Sequence, residues 1–100
     1  MTDISDVDEL TLDELRTEIA EIDHELIELI ARRTYIAETI ASVKQQHDLP
    51  TTDRDQEGRV TARAAELADR FQLDPEVVRR VFEELIELNK SSQRQRRHDH

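Results

Sequence analysis

Two cations, Arg33 and Lys44, lie within a helical stripe whose other members are apolar. Leu12, Leu15, Ile19, Ile22, Leu26, Leu29/Ile30, Ile36/Ala37, Ile40 and Val43 fall on one arc, roughly 140° wide at about 100° per residue. The two cations share that arc, eleven residues or almost three whole turns apart. Charge in such a place is costly unless it meets an opposite charge or an anionic ligand. Further along, Asp53 and Glu57 land on the apolar side of a second helical segment, and Asn89 and Gln93 continue the apolar positions of a third. Each residue alone has an ordinary explanation. A single Arg or Lys snorkels or pairs with a neighbouring acid, an Asp beside a helix start caps it, and amides near a chain end finish a stripe. All of them turning inward together point to a polar cavity. Its cations would take carboxylates, its acids a hydroxyl, and its amides would donate hydrogen bonds.

Three helices are needed to bring these residues together. Residues 11–47 contain neither Gly nor Pro and read as one helix, about 50 Å long at 1.5 Å per residue. A compact 100-residue domain has a radius of gyration near 13 Å, so this rod would project beyond its own fold. The stripe therefore calls for a second chain, and an antiparallel homodimer is the simplest arrangement. Asp48-Leu49-Pro50-Thr51 breaks the helix, and Thr52 with Asp55 reads as a capping box for the second. That helix runs to about Phe71 with Val60, Ala64, Leu67, Ala68 and Phe71 inward. Asp74-Pro75-Glu76 starts the third, which directs Val78, Val81, Phe82, Leu85 and Ile86 inward and ends within 92–96. The expected fold is all-α: three helices, the first very long, in an intertwined antiparallel homodimer. Residues 1–10 are expected to be a flexible acidic N-terminus, 11–95 the helical domain and 96–100 a polar tail.

Composition narrows the function classes. At a net charge of −10 the chain is a poor match for nucleic acid. No run is apolar enough for a membrane span, and no charged-then-apolar leader is present. With no cysteine, thiolate metal sites are excluded. His24 faces away from the stripe, His47 lies near its edge, and His98-Asp99-His100 reads as a solvated tail, so no metal is expected. Three aromatics and one Gly argue against a sheet and against a Gly-rich phosphate loop. Only Lys44 and Lys90 among the fourteen cations are lysines, so the acidic, Lys-poor surface points to a salt-adapted cytoplasm. GC-rich coding would produce the same Arg bias.

The ordered set resembles the all-helical chorismate mutase family over residues 12–93. The matching residues are Leu15-Arg16, Ile19, Ile22-Asp23, Leu26, Ile30-Ala31-Arg32-Arg33, Val43-Lys44, Pro50, Asp53, Glu57 and Gln93. The resemblance implies chorismate as substrate, no cofactor, and an intertwined dimer that donates Arg16 to its partner's site. Arg33 and the partner's Arg16 would clamp two carboxylates. Lys44 and Gln93 would hydrogen-bond the ether oxygen, and Asp53 (backbone or side chain) and Glu57 would hold the ring hydroxyl. Periodicity alone reads Arg16 as a surface salt bridge, roughly 100° off the stripe and about 25 Å from Arg33. Gln56 stands where many relatives have arginine and Asn89 where some have serine; both positions are expected to touch substrate. Two alternatives stay open at this point: an isochorismate-pyruvate lyase on the same scaffold, and a non-catalytic helical dimerisation module.

Overall fold

The computed structural model describes residues 11–50 and 52–98, with side chains through Ser92. Helix α1 spans Leu12–Gln46, α2 Arg54–Arg70 and α3 Pro75–His98. The described residues form only helices and the turns between them. None of these helices is long and apolar enough to cross a membrane. The chain divides into two compact units, Met1–Arg32 and Arg33–His100. The expected N-terminal segment 1–10, the Gln93 side chain and the side chains of the 96–100 tail lie outside the described residues.

Local sequence explains each helix end. At the start of α1 the Thr11 Oγ1 accepts from Glu14 N at 3.2 Å and donates to the Glu14 carboxylate at 3.0 Å. Asp13 and Glu14 occupy the positive end and Lys44 the negative end, as the helix dipole favours. Asp48 then turns the chain at φ 55°, in the left-handed region. Leu49 N reaches back to Lys44 O at 2.8 Å and Asp48 N to Gln45 O at 3.2 Å, a Schellman closure. Gln72 at φ 62° repeats the device after α2, with Leu73 N on Ala68 O at 2.8 Å.

Four expectations need correction. The cap of α2 is Asp53, whose Oδ1 accepts from Gln56 N at 3.1 Å, not Thr52 paired with Asp55. A carboxylate answers the positive helix end better than a hydroxyl, which moves the start by one residue. The face that α2 buries is also rotated. Thr61, Ala64, Ala65 and Ala68 are buried, whereas Leu67 is 44% exposed and Phe71 74%. Small side chains let α2 and α3 pack extensively, and Thr61 stays satisfied by donating to Gly58 O at 3.1 Å. Val81, expected inward on α3, is half exposed, and α3 continues to His98 beyond its expected end.

The buried apolar side chains among the described residues are three alanines: Ala64, Ala65 and Ala68. No residue of α1 is buried. Within 1–32, Ile19, Ile22, Leu26 and Leu29 are all exposed; within 33–100 so are Ile36, Ile40 and Val43. The apolar stripe of α1 is thus left without a cover within this chain.

Candidate active site

A cavity of about 320 Å³ opens in the unit formed by residues 33–100. That volume falls within the usual small-molecule range of about 300–1,000 Å³. From α1 it takes Arg33, Ile36, Ala37, Ile40 and Ala41, residues on one face at helical spacing. Thr52 comes from the connection before α2, Glu57 from the first turn of α2, and Ile86, Asn89 and Lys90 from α3. The floor is thus aliphatic, and the polar groups around it come from four different segments.

Arg33 is the most firmly held of these groups. Its Nη1 donates to Asn89 Oδ1 at 2.7 Å, and its guanidinium carbon sits 5.9 Å from the centroid of the Phe82 ring. Asn89 is buried at 6% exposure, and its Nδ2 donates in turn to Thr34 Oγ1 at 2.8 Å. The amide therefore ties α1 to α3 in both directions. One turn further on, Ser92 Oγ donates to a Glu38 carboxylate oxygen at 2.5 Å and fastens the same pair of helices. A guanidinium has five N–H donors, so the others are left to meet an anion with their carrier already fixed. Asn89 at the end of a stripe could pass for simple fraying in the sequence. In the structure it joins Arg33 and Thr34 of α1 to α3 at the cavity wall.

On the other side of the cavity, Lys90 Nζ lies 2.8 Å from Glu57 Oε1. Lys90 is the ionic lining residue that the periodicity argument missed. The signal was present, since Lys90 stands four residues after Ile86 and is one of only two lysines. The lining thus carries two cations and one acid, a positive balance inside a chain of net charge −10.

The remaining expected residues are placed as follows. Lys44 is half-exposed, one turn beyond Ala41 on the same face and next to the lining rather than in it. Its carbonyl closes the end of α1, which fixes its backbone. Asp53 and Gln56 are exposed; Asp53 serves the α2 cap, and Gln56 Oε1 accepts from Arg59 Nε at 3.1 Å. Arg16 is exposed in the other unit, 1–32. The cavity therefore gathers Arg33, Glu57 and Asn89 but not Lys44, Asp53, Gln56 or Arg16 of the same chain. Among the described residues, no three His, Asp or Glu side chains converge as metal ligands would. Arginine, lysine, an amide and one acid around an aliphatic floor can bind and orient a small organic anion that also carries a hydroxyl.

Replacing Asn89 tests how much of the site this amide holds. Asn89→Ala strips Arg33 of its acceptor and Thr34 of its donor. The expected loss is about 1–3 kcal/mol of stability, read from the urea midpoint at unchanged m-value. An unchanged midpoint would show that Arg33 stands without it.

The family model for chorismate mutase type II matches residues 15–94, most of the chain. A chorismate mutase of Methanocaldococcus jannaschii is 34% identical over 84 residues, covering 84% of this chain and 85% of that relative.

Proposed function

The chain belongs to the type II chorismate mutase family; from that premise we propose that it rearranges chorismate to prephenate in a site assembled from two antiparallel copies. The reaction is an intramolecular Claisen rearrangement, so it needs neither nucleophile nor general base. It needs the enolpyruvyl arm held over the ring, and charge supplied to the ether oxygen as the C–O bond breaks. Holding the arm recovers entropy that the free substrate would spend on finding a reactive conformer. Preorganised donors stabilise the developing charge without reorganising at the moment of reaction.

The observation that carries this proposal is Arg33, a cavity guanidinium braced by Asn89 and Phe82. In the proposed complex, Arg33 and the partner's Arg16 take the two carboxylates. Lys44 and Gln93 donate to the ether oxygen, and Glu57 accepts the ring hydroxyl. Asp53 Oδ1 is engaged in the α2 cap, so Asp53 would meet that hydroxyl through its backbone or its second oxygen. Gln56 and Asn89 complete the substrate-contacting set. Support for the dimer comes from the bare α1 stripe and, among the described residues, a buried apolar core of three alanines. So small a core is a poor basis for a stable single chain. In an antiparallel pair the beginning of one α1 runs beside the end of the other, which brings Arg16 of the partner subunit toward Lys44.

The same proposal takes residues 11–95 as the catalytic domain, places the enzyme in the cytoplasm and includes no resident cofactor. The test is chorismate consumption with prephenate detection, run beside isochorismate at low and molar KCl. Prephenate from chorismate is the expected result. Pyruvate release from isochorismate alone would shift the assignment to the lyase. Failure with both substrates, from a verified folded dimer, would leave the dimerisation module.

Salt adaptation forms part of the proposal. At a net charge of −10, added salt should screen the mutual repulsion of surface acids. Thermal midpoint and turnover are both expected to rise from low to molar KCl. A flat response in both would remove the salt-adapted reading.

A further inference from the structure

Glu57 presents a difficulty for any site that binds a dianion. Its carboxylate lines the cavity, and unpaired it would repel both substrate carboxylates. Counting ionic lining residues, Arg33 and Lys90 set against Glu57 leave one positive charge; without Lys90 the balance is zero. The pair itself is partly sheltered, with Lys90 31% and Glu57 29% exposed at their side chains. The solvent-facing His24–Glu28 pair, by contrast, has side chains 75% and 68% exposed. Screening is weaker at the sheltered pair. Lys90 also lies 3.9 Å from Glu87, a longer approach to a more exposed acid, so Glu57 is its main partner.

We propose that Lys90 is a positioning residue for this reaction: its ammonium holds Glu57 Oε1 and cancels that charge, leaving Oε2 as an oriented acceptor for the ring hydroxyl. Lys90 acts through Glu57 and does not itself contact substrate. The inference rests on the mutase reading and extends it to a residue outside the proposed substrate-contacting set. It also separates two tasks on one acid, accepting a hydroxyl and avoiding repulsion of the dianion.

The experiment is steady-state kinetics on chorismate with full-length wild type, Lys90→Met, Lys90→Arg, Glu57→Gln and the double variant Lys90→Met/Glu57→Gln. Lys90→Met is expected to raise KM by about tenfold or more, with kcat less affected, because a lost charge-assisted contact has that magnitude. Lys90→Arg keeps the charge and should stay close to wild type. Glu57→Gln alone supplies the baseline, since Glu57 itself meets the ring hydroxyl. The double variant should show no KM rise beyond that of Glu57→Gln, so the effect of Lys90→Met is rescued once the charge it neutralises is gone. A purely structural role for Lys90 predicts no such rescue. An unchanged KM in Lys90→Met would overturn the inference. So would a raised KM without rescue, which would mean that Lys90 contacts substrate directly or only supports the fold. Absence of turnover by wild type would overturn the mutase reading and this inference together, an outcome distinct from the other two.

Discussion

Replacing Lys44 by alanine is expected to cut kcat by about 10²–10³, the typical effect of losing one preorganised donor at a developing oxyanion. The helix should survive the change. Lys44 makes its structural contribution through its carbonyl, which accepts from Leu49 N at 2.8 Å and His47 N at 3.2 Å, and alanine retains both bonds. Alanine is also the better helix former. A loss confined to kcat, with helical content and dimer mass unchanged, is the signature of a group that acts on the transition state. The rival module reading makes the opposite prediction. There Lys44 is a charge beside an apolar face, and truncating it would be neutral or stabilising. Retained turnover in Lys44→Ala would overturn the role assigned to its ammonium.

The second large effect is intersubunit complementation. Arg16→Ala and Lys44→Ala should each be close to inactive as homodimers, since every site in either carries one lesion. Refolded together in equal amounts, half of the dimers are mixed. In a mixed dimer one site combines an intact Lys44 with an intact Arg16 of the partner subunit, while the other site carries both lesions. About a quarter of wild-type activity is therefore expected to return, as follows from a two-fold assembly whose site spans both chains. Sites made from a single chain would give no recovery. The simpler explanation of Arg16, a surface pair with Asp13 or a nearby acid, predicts that Arg16→Ala remains active alone. The two outcomes are far enough apart for one activity measurement to separate them.

Much of the fold was legible because its signals are local. Helix α1 appeared within one residue of its expected ends, since a run without Gly or Pro leaves the helix no place to stop. Asp74 capped α3 as the Asp-Pro-Glu signal predicts, its Oδ1 accepting from Glu76 N at 3.0 Å. The face of α2 was read only in part, Ala64 and Ala68 correctly, because periodicity follows hydrophobicity, whereas the packed seam selects for small size. Thr61 and Ala65 are weakly hydrophobic, but they let α3 come close. Leu67 and Phe71 are strongly hydrophobic and remain outside.

The same division runs through the site. Sequence alone determined that Arg33 and Lys44 share an apolar arc and that Glu57 and Asn89 lie on the inward sides of α2 and α3, because helical angle is a property of spacing. It also determined the acidic, Lys-poor character of the chain. Only the tertiary structure decided which of these groups touch. Arg33 and Asn89 are 56 residues apart and meet at 2.7 Å, and Glu57 finds Lys90 at 2.8 Å. Such pairings depend on how far each helix has turned and slid against its neighbour, to within a fraction of an ångström. No periodicity carries that information, because packing of whole side-chain surfaces sets it.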